Sequence, residues 1–516
     1  MKKELPYDSI SINKKSNVPI YKQLYDCIRK SIISNQFAAN NRLPSTRQLS
    51  NDLNISRSTV TAAYDQLIAE GYLHSIRGSG TLIAETLRST AENTNENSTP
   101  YNKYNNSLIE NHNVYSQLSE MAKPYANPKI HQRIRTNYQQ TALMPGIPSR
   151  HNFPNAIWGK LLGKHAKKSL GIDAGYDYPS GIPALKKAIS DYIRLARGVN
   201  TNDNEVLIVT STQAALDVLC RVLINKGDTT GIEDPGYRGA YIAMRNSSAN
   251  IIGIPLDKEG ITLPNANIFN NTPAKIIYTS PSHQYPTGVT MSYSRRMALL
   301  EYAHQHNTWI FEDDYDSEFR YRGKPLPCLQ GLDNKQRVIY IGTFSKSLSP
   351  SMRVAYIVAP PALSPIINTL LGDLGSGVNL AVQYALAEFI EAGHYSRHIR
   401  KARKEYSEKQ QTLYIAIKKY LSDSVDYSQS NAGIQATLYF KESSFKTKIS
   451  DTEFVSFAEK EGLYLRALSP YYQAVSTQKE RPKQGIILGF AACENNEIEE
   501  FITKLSQLIK RFLENN

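Results

Sequence analysis

Lys346 stands in the stretch Gly342–Arg353, GTFSKSLSPSMR, a loop of small hydroxyl residues entered from the apolar run Val338–Ile341. A short β-rich run that breaks into Gly, Ser and Thr reads as a strand leaving a sheet. Open α/β sheets hold ligands there, beyond the carboxyl ends of their strands. A lysine in that place can bond an aldehyde, and Arg353, seven positions on, can hold a phosphate. Upstream, Thr308–Tyr321 reads TWIFEDDYDSEFRY, a buried strand end followed at once by Glu312, Asp313 and Asp314. Acids beside an apolar strand end are costly unless they meet a cation. A protonated heterocyclic ring nitrogen is such a cation.

Asp313 and Lys346 are 33 positions apart, in that order. Here the chain resembles the fold-type I aminotransferases, whose ring-nitrogen aspartate precedes the Schiff-base lysine by a few tens of residues. The resemblance implies pyridoxal 5'-phosphate (PLP), a cofactor whose protonated ring acts as an electron sink.

These motifs need a sheet to carry them, and the chain supplies one. Its 516 residues suffice for a large α/β core plus a smaller domain. From Leu143 the pattern VLIVTSTQAALDVLCRVL, IEDPGYRGAY, KIIYTSPSHQYPTG, TWIFEDDYD and VIYIGTFSK repeats strand, then loop, then helix. Such alternation predicts a mostly parallel sheet covered on both faces. The helix start at Ser211, Thr212 and Gln213 offers backbone N–H groups to an anion. No apolar run approaches a membrane span, and the N-terminus lacks the apolar core of a signal peptide. The four cysteines are scattered and the ten histidines show no metal-binding spacing, so reduced thiols, no metal and a cytoplasmic location are expected.

The first 85 residues have a different character. Ile20, Leu24, Ile28 and Ile32 form a helical stripe. Ser45 can cap a short helix, and Ser56 a second that carries Val60, Ala63, Tyr64 and Leu67 on one side. Two short helices joined by a tight turn are a helix-turn-helix. Arg57, Ser58, Thr59 and Thr61 crowd the start of the second helix, where base edges and phosphates are met. Two short strands around Gly78-Ser79-Gly80 then make a wing tipped by Arg77. Residues 1–84 hold 11 Lys/Arg against 6 Asp/Glu, within a chain of net charge +13, which favours a polyanionic partner. LPSTRQLSNDLNISRSTVTAAYDQLIAEGYL is similar to the signature of GntR-type winged helices, with Ser50 in place of the usual alanine. The resemblance implies that Arg47, Arg57, Ser58, Thr59 and Thr61 meet double-stranded DNA, with Arg77 and Gly78 at the wing. Residues 86–142 are polar and Asn/Ser/Thr-rich and read as a flexible linker, its later part able to drape over the next domain.

The order as a whole resembles the MocR/GabR subgroup of GntR-type regulators: a winged helix (residues 1–85), the linker, and an aminotransferase-like body with a smaller α+β C-terminal subdomain (residues 143–516). HYSRHIRKARKEY at 394–406 matches a helix typical of the subgroup. The same resemblance implies roles for individual residues. By it, Lys346 bonds the cofactor and Asp313 pairs its ring nitrogen. Tyr315 or its neighbour reaches the ring hydroxyl. Thr343 and Arg353 hold the phosphate with Thr212 and Gln213, while Tyr176 reaches the neighbouring subunit's phosphate. Tyr237 packs near the ring.

Two departures qualify the match. Aminotransferases read NPTG where this chain reads YPTG, so Tyr285 replaces the asparagine and His283 or Gln284 takes over its role. The usual carboxylate-binding arginine is absent at Ile487, leaving Arg466, and more weakly Arg238, as substitutes. The function implied is a PLP-dependent regulator. It works as a homodimer, each head resting on the partner's body in a domain-swapped, head-to-tail arrangement, and controls vitamin B6 or amino-compound metabolism. PLP alone or PLP joined to an amino compound is the effector. The alternative is a working aminotransferase with a vestigial head.

Overall fold

The computed structural model describes residues 12–14, 16, 18–33, 41–76, 80–84, 118–119, 121–126, 142–149, 151–169, 177–263, 269, 272–323, 326–441, 449–472, 475–476 and 482–514. They belong to two compact units, Met1–Gln117 and Leu118–Asn516.

The first unit is built on three helices, α1 (Ile20–Ile33), α2 (Thr46–Asp52) and α3 (Arg57–Ala69). Leu24, Ile28 and Ile32 of α1 pack with Leu49 of α2 and with Val60, Ala63, Tyr64 and Leu67 of α3, the stripes expected from their spacing. Both caps form: Ser45 accepts from the Gln48 N–H at 3.2 Å and Ser56 from the Thr59 N–H at 3.1 Å. Ser50, where the signature has alanine, is buried and donates its hydroxyl to the Arg47 carbonyl at 2.9 Å, so the extra polar group is satisfied. Strands β1 (Leu73–Ile76) and β2 (Gly80–Ile83) pair antiparallel, Leu73 opposite Ile83, as the two sides of the wing. Arg77 and Gly78, at its turn, lie outside the described residues, as does most of the linker.

The second unit is organised by a mixed sheet. Its strands are β3 (Val206–Val209), β4 (Thr229–Asp234), β5 (Asn250–Asp257), β6 (Gly260–Ile261), β7 (Ile276–Thr279), β8 (Trp309–Asp314), β9 (Val338–Thr343), β10 (Ala355–Val358) and a later strand near residue 475. The order from β5 is β5-β4-β7-β8-β9-β10-β3. Pairs from β5 to β9 are parallel, whereas β10 runs antiparallel to both β9 and β3. Side chains alternate between two cores. Ile276, Tyr278, Phe311, Ile339 and Ile341 enter one, and Ile277, Ile310 and Val338 the other, which is why these strands are apolar throughout.

A smaller antiparallel sheet of β11 (Val425–Asp426), β12 (Gln435–Phe440), β13 (Arg466–Ala467) and β15 (Gly485–Gly489) forms the C-terminal subdomain. Between β13 and β15 in the chain, β14 (Val475–Ser476) pairs parallel to β5 at the edge of the large sheet and joins the subdomain to it. Helices Asp451–Lys460 and Glu497–Glu514 complete the subdomain. Tyr125, from the stretch read as the later part of the linker, lies within this second unit. It sits under the Arg245 guanidinium, 5.4 Å from its ring centre, and accepts from Nη2 at 3.1 Å. Among the described residues no helix is long and apolar enough to cross a membrane, and no His/Cys/Asp/Glu cluster is arranged for a metal ion.

Candidate cofactor site and DNA-binding helix

Strand register brings the scattered motifs of the body to one line. Ala355 pairs with both Val209 and Thr343, Gly342 with Asp314, Ile341 with Asp313, and Glu312 with Thr279. The carboxyl ends of β3, β9, β8, β7 and β4 therefore face the same edge. They deliver Ser211–Gln213, Thr343–Lys346, Asp313–Asp316, Ser280–Tyr285 and Glu233–Tyr237 in turn.

Lys346 is partly buried and donates its ammonium to the Gly146 carbonyl at 2.8 Å. Burial pulls its pKa down, opposed by the charges of Asp316 and Asp313. A lowered pKa leaves more of the free amine that attacks an aldehyde. Gly146 holds φ +76°, and a Cβ there would come 2.6 Å from Nζ, so a side chain would displace the amine. Asp313 is buried, with Oδ2 accepting from the Tyr278 hydroxyl at 2.7 Å and Oδ1 left without a partner. Burial pushes its carboxyl up to about 7. An acid of this kind costs free energy as an anion until a cation arrives.

The anion end is equally plain. Ser211 caps the 12-residue helix Thr212–Leu223, accepting from the Ala214 N–H at 3.1 Å. The Thr212 and Gln213 N–H groups in its first turn have no protein acceptor among the described residues. The Gln213 side chain is turned elsewhere, its Nε2 donating to the Gly239 carbonyl at 3.1 Å. What Gln213 leaves open to an anion is its backbone N–H, in keeping with the expectation for this helix start. Thr343 Oγ1 accepts from the Ser345 N–H at 3.1 Å, shaping the loop. Arg353 is exposed and takes the left-handed conformation, φ +53°, two residues before Ala355. An amine, an unpartnered carboxylate oxygen and free helix N–H groups on one sheet edge match the aldehyde, ring nitrogen and phosphate of PLP.

The substitutes for the missing asparagine separate cleanly. His283 is buried, its Nδ1 3.0 Å from the Tyr315 hydroxyl and 2.9 Å from Asp316 Oδ2, with Nε2 unpartnered. Gln284 is committed: its Nε2 donates to Glu233 at 3.0 Å and the Pro235 carbonyl at 2.9 Å, and its Oε1 accepts from Thr287. Gln284 braces the turn, because the buried Glu233 carboxyl group, which also holds Thr279 and Ser280, takes up its amide. Tyr285 meets Tyr471, hydroxyl to hydroxyl at 2.9 Å, and its ring stands edge-on to Tyr315 and Tyr237. Tyr237 stacks on Tyr278 at 6.3 Å.

Arg466 lies directly opposite Ile487 in the β13–β15 register, so the two side chains share one face of the small sheet. Its positive charge acts on the Tyr285 phenol, favouring the ionised form against burial. Arg238 opens the helix Arg238–Asn246 beside Tyr237. Tyr176 lies outside the described residues. Sequence reasoning missed Gly146, Tyr278, Glu233 and Tyr471; a tyrosine two residues before the Ser280 loop was the one local signal among them.

In the first unit, Arg47 and Arg57 are exposed, and Arg57 Nε reaches Thr46 Oγ1 at 3.3 Å. The hydroxyls of Ser58 and Thr59 lie 2.8 and 2.7 Å from Ser56 Oγ, and Thr61 donates to the Arg57 carbonyl at 3.0 Å. These three hydroxyls order the helix start while the arginines stay free to reach outward.

Comparison with known proteins joins the two units. A model of the class I and II aminotransferases matches residues 161–505, and one of the bacterial gntR-family regulatory proteins matches residues 20–83. The chain is 36% identical over 494 residues to a probable rhizopine catabolism regulatory protein MocR of Rhizobium meliloti, spanning 96% of this chain and 94% of that one. It is 27% identical over 502 residues to the pyridoxine biosynthesis transcriptional regulator PdxR of Corynebacterium glutamicum, spanning 97% and 98%. The crystal structure of a Pyrococcus horikoshii kynurenine aminotransferase, solved in complex with PMP and its substrates and products, covers 78% of this chain and 99% of its own. The TM-score is 0.66 at 25% identity. With a winged-helix head, an aminotransferase-like body and relatives matched from end to end, the chain belongs to the MocR-type transcriptional regulators of the GntR family.

Proposed function

We propose that the body holds PLP and that its occupancy, alone or together with an amino compound, changes how the heads engage a promoter operator. The unpartnered, buried Asp313 Oδ1 carries this reading: its burial makes sense with a ring cation beside it. Lys346 bonds the cofactor, and the Thr212 and Gln213 N–H groups, Thr343 and Arg353 hold its phosphate. His283, oriented by Asp316, fixes the Tyr315 hydroxyl toward the ring hydroxyl, while Tyr237 covers the ring face. When bound, PLP supplies an electrophilic aldehyde on an electron-withdrawing ring. Arg466, standing where the small sheet places it beside Ile487, receives an effector carboxylate, with Arg238 as the weaker candidate.

In the head, Arg47 and Arg57 meet DNA phosphates and bases, with the wing residues Arg77 and Gly78 alongside. A homodimer brings two heads to two half-sites, each head on its partner's body, in the cytoplasm. An effector acts by binding one arrangement of the dimer more tightly than another. Genes of vitamin B6 or amino-compound metabolism are the expected targets.

The test is the visible absorbance of the purified protein with PLP. Wild type should show the band of cofactor joined to a lysine amine, and Lys346→Ala should lose it while still binding operator DNA. An unchanged spectrum in the variant, or none in either protein, overturns the cofactor assignment.

A further inference from the structure

Sequence neighbours of the His283–Asp316 pair line a small cavity. It measures about 30 Å³ and is lined by Arg197, Ser282, Arg296, Ser317, Arg320 and Cys328. That is room for about two waters or one monatomic ion. Three guanidinium groups meet there, and they are not equally engaged. Arg296 is fully buried and donates to three backbone carbonyls, those of Met291 (3.2 Å), Pro327 (3.2 Å) and Pro281 (2.9 Å). Arg197 is engaged by acids, its Nε with Asp314 and its Nη2 with Glu318, each at 3.4 Å. Arg320 Nε and Ser317 Oγ are buried and have no partner among the described residues.

Arg320 Nε and Ser317 Oγ each carry a hydrogen to donate, and the Ser317 hydroxyl can also accept. The buried acceptors left without partners nearby, Asp314 Oδ1 and Asp316 Oδ1, belong to residues that do not line the cavity. Donors alone satisfy an anion, whereas a water needs an acceptor too, and of Arg320 Nε and Ser317 Oγ only the hydroxyl can serve. Charge points the same way. The acids set against the three arginines are Glu312, Asp314 and Glu318, and burial pushes Glu312 up to about 7 and raises Glu318. Burial thus disfavours the charged form of two of these acids, whereas the guanidinium groups keep their charge.

We propose that this cavity binds one chloride-sized anion, held by Arg320 Nε and Ser317 Oγ beside the Arg197 and Arg296 guanidinium groups. A space of about 30 Å³ suits a small, monatomic ion. The anion ties the helix Pro183–Arg197 to the loop that follows β8, and so stiffens the segment carrying Asp316. The inference stands apart from the cofactor reading and is tested in full-length protein with and without added PLP.

Thermal unfolding is compared in potassium chloride and potassium gluconate at equal ionic strength, for wild type, Arg320→Met and Ser317→Ala. Wild type is expected to melt about 2 °C or more higher in chloride. Arg320→Met should abolish the difference, and Ser317→Ala, which keeps every charge and serves if the first variant misfolds, should reduce it. Crystals grown in potassium bromide should show one anomalous peak within hydrogen-bonding reach of Arg320 Nε. Equal melting of wild type in both salts, a chloride effect untouched in both variants, or two waters without an anomalous signal overturns the site.

Discussion

Asp313 shows how one buried group can link cofactor, pH and stability. With its carboxyl pushed up to about 7, the cofactor-free protein keeps a proton there that the unfolded chain releases near pH 4. The folded state then binds more protons between those values, so stability falls as pH rises from about 4 to about 7. One such group contributes up to about 1.4 kcal/mol per pH unit. Asp313→Asn removes the titration. Its unfolding free energy, measured in denaturant at several pH values without cofactor, should fall less steeply than that of wild type; identical slopes refute the shift. Glu312, also pushed up to about 7, is present in both proteins and cancels in the comparison. Gly433 offers a second probe at this scale. It holds φ +89°, and a Cβ built there runs into the His283 imidazole. Gly433→Ala should destabilise the body by on the order of 2 kcal/mol and weaken PLP binding, read from the midpoint of the visible titration.

At the scale of elements, α3 depends on its first turn. Ser56 caps it and also gathers the Ser58 and Thr59 hydroxyls, so one side chain orders the segment that presents Arg57. Ser56→Ala should cost about 1 kcal/mol of head stability. Operator affinity should fall with it, measured by fluorescence anisotropy at fixed salt. An unchanged affinity would mean that the arginines act without an ordered helix start. The body relies on strand register in the same way, because parallel neighbours set end to end carry five loops to one edge. Crossover helices pack both faces, and this is why apolar strands and a polar site coexist within a few residues.

The molecule as a whole is basic, net +13, and its head carries nearly twice as many Lys/Arg as Asp/Glu. Binding to DNA should therefore weaken steeply with salt. Removing an arginine that touches one phosphate should flatten the plot of log affinity against log salt by about one. Arg47→Ala and Arg57→Ala are each expected to do so, in filter-binding or anisotropy titrations over a salt series. Lys346→Ala should leave that slope untouched, since Lys346 belongs to the second unit and not to the helix-turn-helix unit. A slope unmoved by both arginine variants would place the interface elsewhere on the head.

The amino-acid sequence alone determined whatever depends on neighbours a few positions apart. The caps at Ser45 and Ser56, the stripe of α1 and the strand ends before Glu312 and Gly342 are of this kind, because hydrogen bonds within one turn and two- or 3.6-residue periodicities act locally. That Asp313 and Lys346 leave neighbouring strand ends was legible through the apolar runs that precede them. Tertiary structure decided what is joined across long separations. Tyr278 reaches Asp313 across 35 positions and Gly146 meets Lys346 across 200. That Glu233 takes up the Gln284 amide was decided across 51 positions, by an acid that no local pattern ties to it. Arg466 stands beside Ile487 only because β13 and β15 pair in one particular antiparallel register. A shift of one residue would send its side chain to the other face of the sheet, and no periodicity in the sequence specifies which register two short strands adopt.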